Sequence, residues 1–507
     1  MHQKTEMGII GRQGAKLTIA NFFGVAIGFL STLFIYPKDS ELYGLMVFLY
    51  ATGTLFEPLA SLGIQAIILR YFARFKDLDK TRHGLLLYSL LHISVGIVLF
   101  SILFWVFSGP ISVLIQRLNP DDAKNIDLFF NFIPALVALL ALQNLFNYYI
   151  ANLHRIVIPG IILSILPKLW MPITFFLAYF QILDTTGIAY SLMGMVLVSV
   201  LALVIYLRSL GQLNLQARWE FYPRATLQEM ITYGLYGLLG IAGTQMAYRI
   251  DQSMLGTIKS MESVGVFTYA LTIATTIDMP ARSVLNISAP LISDFFVKGQ
   301  MDKIAEHFKK IALNLLSVGL VLYLGLVLVA DDIFKLTSKP EVLLTARDIA
   351  MILGLAKLMD MITGPNDMII GISKYYRFNM LLIIALSVGN IWLNYSFIRQ
   401  YNVFGPAYAS LVFIVAFNCI KVVFLWVKFK MLPFSRPMLF LVISALICVG
   451  MHYVLPTTGS IILDGLLGGV ILLLGYLLPL VYWKLAPDLI GMLNGGLGSL
   501  GIKNPFK

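Results

Sequence analysis

The sequence predicts an all-α polytopic membrane protein of about fourteen transmembrane helices, two pseudo-symmetric six-helix lobes followed by two extra C-terminal helices. Of 507 residues, 59% are hydrophobic and only 12% charged, against about 25% charged in a soluble domain, so lipid must cover the outside. Runs of about 20 apolar residues, the length that crosses hydrocarbon, recur along the chain. The first half of the sequence also echoes in the second. Glu57 stands 13 residues after Gly44, Asp278 stands 13 after Gly265, and each acid is soon followed by a proline, Pro58 or Pro280. Gly187-Ile188-Ala189-Tyr190 returns as Gly405-Pro406-Ala407-Tyr408. The offsets of 221 and 218 residues differ by no more than a loop adjustment, which marks two copies of one unit.

The spans follow in order. Span 1 (15–36) is too long for a signal-peptide core and lacks a small-residue cleavage site, so it is expected to stay in the mature protein. Span 2 (43–68) holds Glu57, span 3 (84–107) contains no Asp, Glu, Lys or Arg, and span 4 (126–150) is diluted by Asn131, Asn144 and Asn147. Span 5 (157–180) carries Lys168, and span 6 (186–208) the first Gly-x-Ala-Tyr. Span 7 (230–255) has Gly234, Gly237, Gly240 and Gly243, one glycine every three residues; span 8 (263–289) repeats span 2 with Asp278. Span 9 (310–330), span 10 (347–370) with Lys357 and Asp360, span 11 (378–398) with Asn390 and Asn394, and span 12 (404–428) complete the second copy. Spans 13 (437–455) and 14 (461–484) have no counterpart. The expected domains are a lobe over 1–210, a cytoplasmic linker over 211–229, a second lobe over 230–430, and the two added helices with a flexible glycine-rich tail over 431–507.

Lys and Arg cluster in alternate connections: Lys4, Arg12 and Lys16; Arg70, Arg74, Lys76, Lys80 and Arg82; Arg208, Arg218 and Arg224; Lys298, Lys303, Lys309 and Lys310; Lys374 and Arg377; Lys428, Lys430 and Arg436. The positive-inside rule puts these connections, and both termini, in the cytoplasm. The net charge of +11 is thereby a topology signal and no reason to expect nucleic acid. With six spans per copy the copies share one orientation, as parallel repeats do. No connection exceeds about 20 residues, which leaves no room for a soluble catalytic domain. Cys419 and Cys448 both fall in apolar runs, no metal spacing joins the histidines, and no phosphate loop or nucleophile elbow is present. The chain is expected not to be an enzyme and to need no cofactor or metal.

Charges inside hydrocarbon cost about 2.5–3.5 kcal/mol each on insertion scales and are functional candidates by default. They are Glu57, Lys168, Arg249, Asp251, Asp278, Arg282, Lys357, Asp360 and Asp367. Asp278 with Arg282 (i,i+4) and Lys357 with Asp360 (i,i+3) offer local ion pairs as the plainer alternative. Glu57 and Lys168 have no opposite charge at helical spacing, so they pair across spans 2 and 5 or stand in a cavity. The span 7 glycines predict either tight packing or a gating hinge, with Gly24 and Gly28 as a GxxxG counterpart in span 1. Asn286 and the other intramembrane amides suit helix-to-helix hydrogen bonds or a sugar's hydroxyl groups.

The six-plus-six-plus-two plan, Tyr43-Gly44 opening span 2, Gly63 and Arg70-Tyr71-Phe72 closing it, and the repeated Gly-x-Ala-Tyr resemble the polysaccharide flippases of the multidrug/oligosaccharidyl-lipid/polysaccharide exporter superfamily. The resemblance implies V-shaped lobes that alternate between the two membrane faces of a bacterial inner membrane. It implies as cargo an undecaprenyl-diphosphate-linked oligosaccharide for O-antigen, capsule or exopolysaccharide assembly, with a polysaccharide polymerase as a candidate partner. Basic residues on spans 1, 2 and 8 of related flippases imply that Arg282 meets the diphosphate and that Lys16, Arg70 and Arg74 stand at the cytoplasmic entrance, although span 1 has no base in its interior. A diphosphate cannot cross hydrocarbon unpaired. Lys168, Lys357, Arg249 and Asn286 join Arg282 as candidates to hold headgroup and sugar, while the tail stays among membrane lipids. Glu57, Asp278 and Asp360 are the candidate coupling sites for H+ or Na+. Two rivals stand beside this reading. A multidrug and toxin extruder would use an acidic pocket for organic cations; an integral-membrane glycosyltransferase or polymerase would need a larger outer loop than the short connections provide, and the acids Asp39, Glu41, Asp121 and Asp122 are better read as solvated loop residues.

Overall fold

A computed structural model describes residues 23–75, 84–118, 130–153, 155–216, 219–335, 337, 339–455, 458, 460–482 and 485. Every regular element among them is helical: α1 (Phe23–Lys38), α2 (Ser40–Ser61), α3 (Ile64–Arg74), α4 (Leu85–Leu118), α5 (Ile133–Asn152), α6 (Val157–Tyr179), α7 (Thr185–Ser209), α8 (Arg224–Ile258), α9 (Met261–Val297), α10 (Met301–Lys335), α11 (Pro340–Thr363), α12 (Asn366–Ile372), α13 (Tyr376–Tyr401), α14 (Gly405–Phe429), α15 (Arg436–Val454) and α16 (Ile461–Tyr482). Ten helical stretches are long and apolar enough to cross a membrane, one of them holding both α13 and α14. Within the described residues each expected span falls on helix, spans 2 and 10 on two helices apiece, but α1, α8 and α11 fall outside those ten. α1 is short within the described residues, and α8 and α11 mix polar with apolar side chains. Lys16, the start of span 1, Asp121, Asp122 and the glycine-rich tail lie outside the described residues.

Local chemistry sets the helix ends. Asp39, read above as a loop acid, caps α2 by accepting a hydrogen bond from Leu42 N at 2.9 Å. Asp184 caps α7 in the same way through Gly187 N at 2.7 Å, while Pro406 in the first turn starts α14. The two copies of Gly-x-Ala-Tyr thus open corresponding helices. Span 2 breaks at Leu62 and Gly63, both left-handed (φ 46° and 71°), and α3 restarts one residue later. Span 10 breaks at Gly364 (φ 59°) and Pro365 before the short α12.

By packing, the chain forms two compact units, residues 1–268 and 269–507, with the division inside α9. The packing division is a different boundary from the sequence repeat, because α8 and the first turns of α9 lie against α2 and α3. Helices in lipid gain little from hydrophobic burial and associate where small residues let backbones approach. A side-chain carbon on Gly44 would strike Met261 O and Gly265 N, and one on Gly265 would strike Ser40 O. Ser40 and Met261 are themselves related by the 221-residue offset, so the contact is reciprocal. Further along the seam, Gly256 faces the Phe48 ring, Gly63 faces Gly234 O, and Gly237 faces Ala66. Tyr222, just before α8, is buried and stacks on Tyr88 of α4 with ring centroids 5.3 Å apart.

In the second unit, α15 and α16 pack against α10. Gly468 lies against the Leu328 carbonyl, and Tyr476, in a π-helical turn over Leu473–Leu477, donates its hydroxyl to Ser317 O at 3.1 Å.

Candidate functional site

Two of the intramembrane charges of the first unit, Glu57 and Lys168, stand in different settings. Glu57 is buried near the end of α2. Because the chain turns at Leu62-Gly63, Gln65 of α3 comes back to donate to Glu57 Oε1 at 2.9 Å. Ser61 and Asn144 close the rest of its shell, and Oε2 is buried without a hydrogen bond of standard length. No cation pairs with Glu57 among the described residues.

Lys168 stands midway along α6, 11 residues from each end. Its stem lies on the glycine face of α1: a Cβ on Gly24 would meet Lys168 Cδ and Nζ at 3.3 Å, and one on Gly28 would meet Cδ at 3.7 Å. The GxxxG of span 1 therefore makes room for this side chain. Lys168 is half-buried and forms no ion pair among the described residues. Glu57 and Lys168 do not pair with each other.

Toward the other end of the α2–α8 seam, Arg249 donates to Gln252 Oε1 at 3.5 Å, Gln252 to Thr268 Oγ1 at 3.2 Å, and Thr52 to Ser253 Oγ at 3.3 Å. At the α3 end, Arg70 and Arg74 clasp Glu229 at 3.0 and 3.2 Å, and the Arg70 guanidinium lies 4.5 Å from the Tyr233 ring centre. The Tyr71 hydroxyl and then Arg74 hold the Glu229 carboxyl below its ordinary value. Of the span 7 glycines, Gly234 and Gly237 are contact points with α3, Gly240 faces open space, and Gly243 is buried. α8 runs unbroken past all four.

The second unit gathers its charges into a network. Asp278 of α9 lies 3.7 Å from Lys357 Nζ of α11, both side chains mostly buried at 13% and 15% exposure. Lys357 thus reaches an acid on another helix, and Asp360 accepts instead from Asn418 Nδ2 of α14 at 3.0 Å. Asn418 Oδ1 in turn accepts from Thr363 Oγ1 at 2.9 Å and Asn366 Nδ2 at 2.7 Å, tying the broken ends of span 10 to α14. Lys421, one turn along α14, is almost wholly buried, lies 3.4 Å from the Phe417 ring centre, and donates to Asp367 Oδ1 at 2.6 Å. Asn379 donates to the same oxygen at 2.8 Å, and the Asp367 side chain is 59% exposed. Sequence reading singled out none of Gln65, Asn418 and Lys421. The signal for the last two was an amide and a lysine three residues apart in an apolar run. The side chains of Arg282 and Asn286 lie outside the described residues.

The matched acids Glu57 and Asp278 therefore differ in environment, one among neutral donors and one against a lysine. The family described as polysaccharide biosynthesis protein matches residues 38–296, just over half of the chain. A lipid II flippase MurJ in an inward closed conformation superposes with a TM-score of 0.66 at 15% identity, covering 94% of this chain and 99% of that one. An inward-facing multidrug resistance MATE family transporter of the MOP superfamily superposes with a TM-score of 0.61 at 14% identity, covering 81% and 94%. A search of curated proteins by sequence finds no match. With a multi-span helical fold shared with MOP-superfamily transporters, the chain belongs to the polysaccharide biosynthesis protein family.

Proposed function

We propose that the chain flips an undecaprenyl-diphosphate-linked oligosaccharide from the inner to the outer leaflet of a bacterial cytoplasmic membrane, with both termini cytoplasmic and fourteen crossings. The observation that carries this reading is Lys168, an intramembrane lysine at the midpoint of α6 with no carboxylate beside it among the described residues. An ammonium in hydrocarbon needs an anion or water, and a diphosphate headgroup in transit supplies the anion. Lys357, by contrast, is engaged with Asp278, so its access to the headgroup requires that pair to part. Arg282, Arg249 and Asn286 complete the proposed contact set, with Lys16, Arg70 and Arg74 at the entrance. Glu57, in its neutral shell, and Asp360, bound to Asn418, are the proposed coupling positions for H+ or Na+.

Vesicles containing the purified chain and a fluorescent diphosphate-linked oligosaccharide test this directly. Outer-leaflet exposure should rise with the protein, and Lys168→Met should abolish the rise at unchanged folding. Organic-cation uptake in the same vesicles without lipid flipping would favour the multidrug-extruder reading, which the MATE-like fold also accommodates.

A further inference from the structure

The turn between α12 and α13 and the end of α14 bring together an arrangement that the transport reading does not use. Lys374 Nζ lies 5.3 Å from the centre of the Tyr375 ring, and Lys428 Nζ, from α14, lies 5.8 Å from the same centre. Two ammonium groups from separate segments thus converge on one aromatic ring. Neither forms an ion pair with a carboxylate among the described residues, and both are exposed. Lys430, in the left-handed position that ends α14, places a third ammonium 5.6 Å from the Trp426 ring.

One further feature favours a lipid anion here. Below the lysines lies a run of rings: Tyr375 contacts Phe424 and Phe429 at 5.4 and 5.7 Å, Phe378 stacks on Phe424 at 4.0 Å, and Phe296 meets Phe429 at 6.2 Å. Trp426 and Tyr376 are exposed beside them. Charged heads over an aromatic ledge match the two layers of a lipid, phosphate above and glycerol with upper acyl chain below.

We propose that Lys374 and Lys428 bind the headgroup phosphate of an anionic glycerophospholipid from the leaflet these residues face, with the Tyr375–Phe424–Phe429 ledge beneath its glycerol. The occupant is a resident membrane lipid and not the transported cargo. Each basic residue near an anionic surface contributes about 1 kcal/mol, roughly fivefold in association.

The test reconstitutes the full chain into phosphatidylcholine vesicles containing either brominated phosphatidylglycerol or brominated phosphatidylcholine. The Trp426 component of the quenching is obtained by subtracting the Trp426→Phe protein. Brominated phosphatidylglycerol should quench that component severalfold more effectively. Lys374→Gln/Lys428→Gln should bring the two lipids level, while Lys374→Arg/Lys428→Arg retains the preference. Equal quenching by both lipids in the wild-type chain would overturn the proposal, as would an unchanged preference in the double glutamine protein. Loss of the preference in 10 mM inorganic phosphate at constant ionic strength would assign the site to the free anion and overturn the lipid assignment.

Discussion

The Asp278–Lys357 pair yields the sharpest expectation. Its charges lie 3.7 Å apart with both side chains mostly buried. With an effective dielectric of about 20, the attraction is about 4.5 kcal/mol, much of it offset by the cost of removing both ions from water. Removing one partner leaves that cost uncompensated, so Lys357→Met or Asp278→Asn should each destabilise by about 3–5 kcal/mol. The double substitution Asp278→Asn/Lys357→Met removes both charges together and should recover most of that loss. Thermal unfolding of the purified protein in detergent, followed by tryptophan fluorescence, ranks the four proteins. Wild type and the double variant should melt close together, with both single variants well below. If the double variant is destabilised by the sum of the single effects, the residues are not coupled and the pair has no structural weight. If the single variants melt as wild type does, the charges are hydrated and the site is wetter than its burial indicates.

Three further outcomes are expected. Gly63→Ala places a side chain at φ 71° and against Gly234 O, so it should cost at least about 3 kcal/mol and depress the yield of folded protein; normal expression and melting would show that the α2–α3 turn tolerates a side chain. Gly240→Ala meets no neighbour and should raise the intrinsic stability of α8 by about 1 kcal/mol; if transport slows while melting rises, the hinge proposal for span 7 gains support, whereas unaltered transport rates remove it. Glu229 has a lowered carboxyl pKa, so the stability it contributes is present above its ordinary value of 4.5 and is lost as pH falls through the lower folded value. Melting temperature should therefore fall across that acidic window in the wild type and change less in Glu229→Gln; identical profiles would dismiss the clasp.

The helical membrane fold was legible in composition and apolar run length, because crossing hydrocarbon imposes one length on every span. Of the repeated positions, Gly44 and Gly265 each fall in the first two turns of a helix, and each Gly-x-Ala-Tyr lies at the start of one. Partners of the buried charges were less accessible. Sequence spacing reveals neighbours on one helix, so it offered Asp360 to Lys357, whereas the structure gives Lys357 an acid from α9. Gln65 reaches Glu57 only because Leu62 and Gly63 adopt left-handed backbone, a turn inside what the sequence reads as one span over 43–68. Lys421 was hidden in an apolar run, where its stem and the Phe417 ring keep the local composition hydrophobic. The Gly24 and Gly28 pair shows a different gap, since a small-residue motif does not reveal whether a helix or a lysine fills it.

The mutual contact of Gly44 and Gly265 has a mechanical consequence. Each glycine is pressed by the carbonyl that precedes its counterpart by four positions, Met261 for one and Ser40 for the other. A slide of α2 past α9 that frees the first glycine frees the second in the same stroke. The two contacts are therefore made or lost together, and a bulky residue introduced on either side wedges both.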